Sequence, residues 1–129
     1  MASDYSAPIF AMLLRRAEHS NLAFGPDFRW RGILDHLRKE LAEVELAEGT
    51  DLEEWIDIIL LGLDGATRCA LVQLDNPKSV SSHIRSTTDV LRALEAKIEK
   101  NAARKWPDWR TADPNKAIEH DRSADGGAS

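Results

Sequence analysis

The feature that most constrains this chain is a pair of acidic motifs on either side of a glycine-containing turn. Each motif has two acidic residues at i,i+3 spacing, which places both on one face of a helix. Between the motifs, Gly49 is a typical helix terminator, and residues 50–53, Thr-Asp-Leu-Glu, have the pattern of a capping box that begins the next helix. A connection this short predicts two antiparallel neighbouring helices with all four carboxylates at a similar height between them. The four residues are Glu40, Glu43, Glu54 and Asp57.

The residues around these motifs are apolar, which distinguishes them from ordinary solvent-exposed acidic pairs. Leu37, Leu41 and Val44 form an apolar stripe beside Glu40, and Asp57 lies in a run that is apolar nearly all round. Such a run is typical of a buried helix, in which an ionised Asp needs a partner. Four carboxylates between facing helices repel one another unless a cation lies among them. Because oxygen ligands favour Mg²⁺ or Mn²⁺, the sequence predicts a divalent metal site at these four residues.

Composition narrows the class of protein. The 129 residues are enough for one domain with a hydrophobic core, and 30% charged residues is ordinary for a soluble globular protein. A net charge of −5 argues against nonspecific nucleic-acid binding. No apolar run approaches the roughly 18 residues that span a membrane, and no secretory signal is visible, so we expect no nucleic-acid or membrane partner and a cytoplasmic location. The single Cys69 is expected to be a small core residue.

The hydrophobic periodicity is helical throughout and predicts an all-α fold, an antiparallel helical bundle. We expect a single domain over 1–120, with an N-terminal helix in 1–20 that begins near Pro8 and a core over 21–120. The loop at 20–31 contains Gly25 and Pro26, residues 73–88 have little periodicity apart from a short turn near 80–85, and 121–129 are expected to be a disordered tail. The other predicted helices span about 31–48, 51–72 and 89–104, the last with Thr88 as its N-cap.

Basic residues gather near the end of the last predicted helix. Lys97, Asn101 and Arg104 follow i, i+4, i+7 spacing and share one face, with Lys105 beside them. Compensation of the helix dipole would account for one or two of these cations. A phosphate-binding cluster explains the whole set better, because Arg offers forked donors and Lys a point charge. The sequence has no P-loop, so bound phosphates would be held by metal and side chains.

The few aromatic residues flank these charged segments. Trp106 and Trp109 follow the basic helix, whereas Phe24, Phe28 and Trp30 precede the acidic one. A purine ring could stack on one of them, although for any single residue a place in the core or in a lid that closes an end of the bundle is the more usual interpretation. His36 lies one turn before Glu40 and could contact the base or orient a metal ligand.

Taken together, these segments resemble the MazG-like nucleotide pyrophosphohydrolases, and most of all their compact phage type that acts on dATP and dGTP, called MazZ. The general motif is Glu-x-x-Glu followed by Glu-x-x-Asp. The strings AFGPDFRWRGILDHLRKELAEVE, DLEEWIDIILLGLDGA and KNAARKWPDWRTADPNKAIEH are similar to that type and cover about residues 20–120.

The resemblance implies an enzyme that converts purine deoxynucleoside triphosphates, dGTP and dATP, into the monophosphate and pyrophosphate. It implies two or three Mg²⁺ or Mn²⁺ ions held by the four carboxylates, with one glutamate as a possible base. It further implies a homo-oligomer, dimer or tetramer, whose neighbouring subunits complete each site. A phage enzyme of this kind would shape the purine pool of the host cytoplasm and could supply dGMP for 2-aminoadenine nucleotides. The substrate would be bound by Lys97, Asn101, Arg104, Lys105, Trp106 and His36.

Two other classes of protein compete with this interpretation. A di-iron carboxylate bundle also places acids inside helices, but it needs Glu-x-x-His motifs, which the sequence lacks. A non-enzymatic helical interaction module would carry the acidic pairs as plain surface, would bind no metal, and would lose only stability on the change Asp57→Asn.

Overall fold

The computed structural model describes the backbone of residues 3–124 and the side chains of residues 7–123. This part of the chain contains α-helices, short 3-10 turns and no strand, so the predicted all-α class is confirmed. Contacts divide the chain into two compact units, residues 1–92 and 93–129. The helices are α1, Ser3–Phe24; α2, Trp30–Leu46; α3, Leu52–Val72; and α4, Val80–Ala103.

Helix α1 is longer at both ends than the sequence predicts. It begins at Ser3, so Pro8 lies inside the helix and not at its start. It also continues through residues 20–24, which were expected to be loop, because no Gly or Pro interrupts the chain before Gly25. There the backbone turns left-handed, with φ 83°, and the Gly25 N–H donates to the Asn21 carbonyl at 2.9 Å. A glycine is favoured at this position because it has no Cβ to oppose a positive φ.

The turn between α2 and α3 forms where the sequence places it. Gly49 adopts φ 72° and its N–H donates to the Val44 carbonyl at 3.0 Å, which confirms it as the terminator of α2. The predicted capping box is wrong in its details. The Thr50 hydroxyl donates back to the Ala47 carbonyl, so Asp51 is the N-cap instead and accepts from the Glu53 N–H at 3.0 Å.

Helices α2 and α3 pack against each other as antiparallel neighbours, and α1 packs on α3. Glu40, in the C-terminal half of α2, lies beside the first turns of α3. Ile33, near the start of α2, lies beside Gly65 of α3. A Cβ added at Gly65 would be 3.9 Å from the Ile33 Cγ2. An added Cβ at position 65 would therefore make only an ordinary van der Waals contact with Ile33. Among residues 7–123, few apolar side chains are buried; they are Leu13, Ala17, Ile33, Leu61, Leu71 and Val90.

The prediction that α3 is buried on all sides is wrong for the single chain. Asp57 is half-buried, and a large apolar surface of α3 is exposed, because α1 and α2 cover only part of the helix. Cys69 on the same helix is exposed as well, which corrects its assignment to the core. The exposed apolar residues of α3 include Leu52, Trp55, Ile56, Ile59 and Leu60.

Helix α4 begins nine residues earlier than predicted, at Val80. Its N-cap is Ser79, whose hydroxyl accepts from the Ser82 N–H at 3.1 Å. Thr88 is not an N-cap but an interior residue, and its hydroxyl donates to the Ile84 carbonyl one turn earlier. Ser86 and neighbouring Thr residues bond back in the same way, which satisfies their hydroxyls without ending the helix.

The second unit contains the end of α4 and the segment that follows it. A 3-10 turn at Trp109–Thr111 begins at Asp108, whose side chain accepts from the Arg110 N–H. The Lys105 carbonyl accepts from the Asp121 N–H at 2.7 Å. A further 3-10 turn, Arg122–Ala124, lies in the segment predicted to be a disordered tail, and residues 125–129 lie outside the described residues. Among the described helices, none is long and apolar enough to cross a membrane.

Candidate functional site

Three of the four predicted metal ligands converge between α2 and α3. One carboxylate oxygen from each of Glu40, Glu54 and Asp57 lies within 4.8 Å of the other two. The antiparallel packing brings this about, since the i,i+3 pair on α3 faces the buried side of α2. Glu40 is buried, with 9% of its surface exposed, so it is not an ordinary solvated glutamate.

Two carboxylate oxygens in the cluster are buried and have no hydrogen-bond partner. They are Oε2 of Glu40 and Oε2 of Glu54. An unpartnered acceptor away from water is costly, and a bound cation would remove that cost for both residues. A set made only of oxygen donors suits Mg²⁺ or Mn²⁺. The residues present therefore fit a divalent cation.

Glu43 takes a different position from the other three carboxylates. It is not part of the convergent cluster. The pKa of Glu54 is raised from 4.5 to about 7, and the largest cause is a side-chain hydrogen bond with Glu43. Burial and the negative charges of Glu43, Asp51 and Glu40 raise the pKa further. Without a cation, Glu54 therefore has a pKa close to neutrality.

The raised pKa links stability to pH in the metal-free protein. The folded state binds this proton more tightly than the unfolded state does. The stabilisation that protonated Glu54 contributes is therefore fully present below about pH 4.5 and is lost as the pH rises through about 7. A bound cation replaces the proton, so the cation and the proton compete for Glu54.

His36 lies one turn before Glu40, and its Nε2 is 3.2 Å from the Glu40 Oε1. It can therefore hold one Glu40 oxygen in place while the other remains available. This contact supports the ligand-orienting role that the sequence suggested for His36. His36 also lines the cavity described next.

A cavity of about 220 Å³ adjoins the carboxylate cluster. Glu40, Asp57 and His36 line it beside the cluster, and Phe24, Leu60 and Leu61 provide apolar walls. Asp64 lies two helical turns beyond Asp57 on α3, so the cavity extends roughly 10 Å along that helix. The remaining wall comes from α1, through Arg16, His19 and Ser20.

A buried ionic network forms the part of the cavity that the sequence analysis missed. Asp64 accepts from Arg16 Nη1 at 2.9 Å, from the Ser20 hydroxyl at 2.7 Å and from Arg68 Nε at 3.1 Å. Burial alone would raise the pKa of Asp64, but the hydrogen bonds from Ser20 and Arg16 and the charge of Arg68 hold that pKa below its usual value. Arg68 also donates to the carbonyls of Gly25 and Asp27 and thereby ties the loop after α1 to α3.

Comparison with known protein families decides the class. A family model described as dATP/dGTP pyrophosphohydrolase matches residues 12–125. The chain belongs to the dATP/dGTP pyrophosphohydrolase family. No curated protein and no solved structure matches it.

As a dATP/dGTP pyrophosphohydrolase, the chain is a nucleoside triphosphate diphosphatase, and the predicted MazG-like resemblance is confirmed. The competing class of a non-enzymatic interaction module does not agree with this family. The matched segment contains all four acidic residues, the α1 wall of the cavity and the predicted basic residues. Divalent cations assist phosphoryl hydrolysis by neutralising charge and activating water, and the carboxylate cluster offers the oxygen ligands that such cations prefer.

Apart from His36, the predicted substrate-binding residues of this pyrophosphohydrolase lie in the second unit. Arg104 follows directly after α4, and its Nη1 donates to the Asn101 Oδ1 at 2.8 Å, while its Nε is buried without an acceptor. The Trp106 indole N–H donates to the Asn101 carbonyl at 2.8 Å, and its ring packs edge-on against His120. Lys97 and Lys105 are exposed. The structure thus joins Asn101, Arg104 and Trp106 in one local arrangement.

Proposed function

We propose that this protein hydrolyses dGTP and dATP between the α- and β-phosphates, with Mg²⁺ or Mn²⁺ bound by Glu40, Glu54 and Asp57. The observation that carries the proposal is the convergence of these three carboxylates, two of them with buried oxygens that have no partner, in a member of this enzyme family. The products are the deoxynucleoside monophosphate and pyrophosphate.

The residues of the cluster have different roles in the proposed reaction. Bound divalent cations, two or three as the resemblance implies, would neutralise phosphate charge and make an attacking water more acidic. The cations would be bound by the carboxylates of Glu40, Glu54 and Asp57, and His36 keeps Glu40 oriented. Glu43 stands outside the three-oxygen cluster but within hydrogen-bonding reach of Glu54, so it is the residue that accepts the proton of the attacking water.

The β- and γ-phosphates are proposed to bind Lys97, Asn101, Arg104 and Lys105, with Trp106 beside them. The Arg104 guanidinium is oriented by Asn101 and still has donors to offer. Forked donors and point charges of this kind suit a pyrophosphate leaving group.

The resemblance to phage enzymes supports a biological role that goes beyond the reaction. An enzyme that consumes dGTP and dATP in the host cytoplasm lowers these pools and produces dGMP. We propose that this dGMP can serve the synthesis of 2-aminoadenine nucleotides.

A homo-oligomer is proposed from the exposed apolar surface of α3. Monomeric proteins rarely expose large contiguous apolar patches, and a second copy would cover Ile56, Ile59 and Leu60. Sedimentation equilibrium is expected to give a dimer or tetramer at micromolar concentration. The variant Ile59→Lys should shift the protein toward monomer, whereas the exposed change Leu22→Lys on α1 serves as the control. A wild-type monomer would contradict the oligomer.

The position of bond cleavage tests the reaction itself. With Mg²⁺ or Mn²⁺, dGTP and dATP are expected to give dGMP and dAMP with one equivalent of pyrophosphate, because attack at the α-phosphorus expels the two outer phosphates together. Anion-exchange chromatography with a pyrophosphate-specific assay measures both products. Reaction in ¹⁸O-labelled water should place the label in the monophosphate. Formation of dGDP and free orthophosphate would rule out this assignment.

A further inference from the structure

The end of α1 and the start of α2 are joined by a contact between Phe24 and Arg29. The Arg29 Cζ lies 5.0 Å from the centroid of the Phe24 ring, within the range of a cation–π interaction. The same guanidinium packs on the backbone of α2 at Gly32, where an added Cβ would be 2.7 Å from the Arg29 Nη2. A side chain at position 32 would therefore displace the guanidinium from its place on the ring.

The backbone of Arg29 is held in place by a buried arginine of α3. Arg68, whose side chain is 3% exposed, donates from Nη1 to the carbonyls of Gly25 and Asp27 in the loop between α1 and α2. The Asp27 carbonyl also accepts from the Arg29 N–H at 2.9 Å. The Arg68 Nε pairs with the buried Asp64, which fixes Arg68 on α3. The guanidinium of Arg29 thus extends from a backbone that is tied to the core.

Arg29 contributes less to the stability of α2 than a residue at its position usually does. It is the N-cap of the helix, where Ser, Thr, Asp or Asn would accept from the first N–H groups, and its side chain makes no such bond. Among the residues that the structure describes, no acceptor bonds its guanidinium. Its side chain contacts Phe24 and Gly32 instead, which points to a role in holding the ring.

Phe24 connects these contacts to the candidate active site. With Leu60 and Leu61 it forms the apolar wall of the cavity beside the carboxylate cluster. The Phe24 side chain is 49% exposed, so core packing does little to fix its ring. A ring at this place offers an apolar face to the nucleoside part of a substrate whose phosphates lie at the cluster.

We infer that Arg29 is a positioning residue for substrate binding. Its guanidinium holds the Phe24 ring in the wall of the cavity, and the ring contacts the nucleoside part of the substrate, guanine and adenine alike. The affinity for the nucleoside therefore depends on Arg29, whereas metal binding and the chemical step depend on the carboxylate cluster. The inference rests on the proposed function, because it takes that cluster as the place of the phosphates.

The change Gly32→Ala tests the position of Arg29 without removing any side chain. The new Cβ would displace the guanidinium, while alanine in place of glycine favours the helix. The KM for both dGTP and dATP is therefore expected to rise about three- to tenfold. The kcat should be unchanged, and the melting temperature should equal or exceed that of wild type. A purely structural role of Arg29 would not raise KM in a protein of undiminished stability.

Variants of Arg29 itself provide a second test with a matched control. Arg29→Met should raise KM as Gly32→Ala does, and Arg29→Lys, which keeps a cation over the ring, should give an intermediate KM. Arg31→Met is the control, because Arg31 makes the same kind of contact with Trp30, at 4.8 Å from its ring centroid. Nine residues, or two and a half turns, place Arg31 on the face of α2 opposite Glu40, so KM should not change.

A double-mutant cycle shows whether Arg29 acts through Phe24. Phe24→Ala is expected to raise KM about five- to a hundredfold, the range that stacking of a base on an aromatic ring supplies. In the Phe24→Ala background, Arg29→Met should raise KM no further, because the ring that it positions is absent. Additive effects of the two changes would overturn the inference.

Inorganic tripolyphosphate separates the binding of the nucleoside from general damage to the site. In calorimetry with Mn²⁺, Gly32→Ala and Arg29→Met should bind tripolyphosphate as wild type does but bind dGMP about three- to tenfold more weakly. An unchanged affinity for dGMP, or an equal loss for dGMP and tripolyphosphate, would overturn the inference. Because calorimetry needs no turnover, a wild-type protein that hydrolyses no triphosphate would disprove the proposed function, while the affinities for dGMP still decide the role of Arg29.

Discussion

The change Asp57→Asn is expected to lower kcat/KM for dGTP by roughly a hundred- to a thousandfold, because charge stabilisation by bound metal is worth several kcal/mol and each 1.36 kcal/mol is tenfold. Asp57 supplies one of the three convergent oxygens, and an amide there offers a neutral ligand in place of an anion. Isothermal titration with Mn²⁺ should show the loss of affinity directly. Steady-state kinetics at saturating Mn²⁺ should recover only part of the rate.

Glu43→Gln is the informative comparison for that variant. If Glu43 accepts the proton and the other three carboxylates hold the metal, Glu43→Gln should keep Mn²⁺ binding but lose about 10²–10⁴-fold in kcat. Glu45→Gln changes an exposed glutamate on the same helix and should behave as wild type. Full activity in Asp57→Asn, or loss of metal binding in Glu43→Gln with intact kcat at saturating metal, would contradict this division of roles.

The pH dependence of metal binding adds a second readout to the same site. Since Glu54 binds a proton with a pKa of about 7 in the metal-free protein, apparent Mn²⁺ affinity should fall up to about tenfold per pH unit below 7. In the absence of metal, Glu54 should contribute less to the free energy of unfolding as the pH rises from 4.5 through 7. Glu54→Gln should remove both effects, because a glutamine cannot titrate.

The sequence analysis was most successful where the signals are local. The i,i+3 acidic pairs and Gly49 lie within 18 residues of one another, so helix geometry and one turn determine how Glu40, Glu54 and Asp57 meet. The same local signal could not show that Glu43 bonds Glu54 and stands outside the cluster, because that depends on the rotation of α2 against α3.

The network behind the cavity is long-range, which is why no motif indicated it. Arg16 and Asp64 are 48 residues apart and Ser20 and Asp64 are 44 apart, and neither separation follows a helical period. One signal was available: Asp64 and Arg68 are charged residues at i,i+4 in the apolar helix α3, so they required buried partners. The same reasoning, which was applied to Asp57, also holds for Asp64, two turns further along the same face of α3.

The start of α4 was missed because the amino-acid composition of its first turns is misleading. Residues 79–88 contain six Ser or Thr after an Asn-Pro pair, and such residues favour turns when considered alone. In the structure their hydroxyls bond to backbone carbonyls one turn earlier, and Ser79 caps the helix. Tertiary packing of Val90 and Ser86 in the core offsets the poor local propensity.

The change Arg104→Ala separates a phosphate-binding role from compensation of the α4 dipole. If Arg104 only complements the dipole, its loss should cost at most about 1 kcal/mol of stability and leave activity intact. If it binds the outer phosphates, the loss of charge-assisted hydrogen bonds worth roughly 1.5–3 kcal/mol should lower kcat/KM about ten- to a hundredfold. Lys100→Ala is the matched control, because Lys100 is the basic residue in the last turn of α4 and is not one of the proposed phosphate ligands. Binding of dGMP should change little in Arg104→Ala, since the monophosphate lacks the phosphates that Arg104 contacts. A lowered melting temperature with unchanged kcat/KM in both variants would show that the basic residues serve the helix and not the substrate.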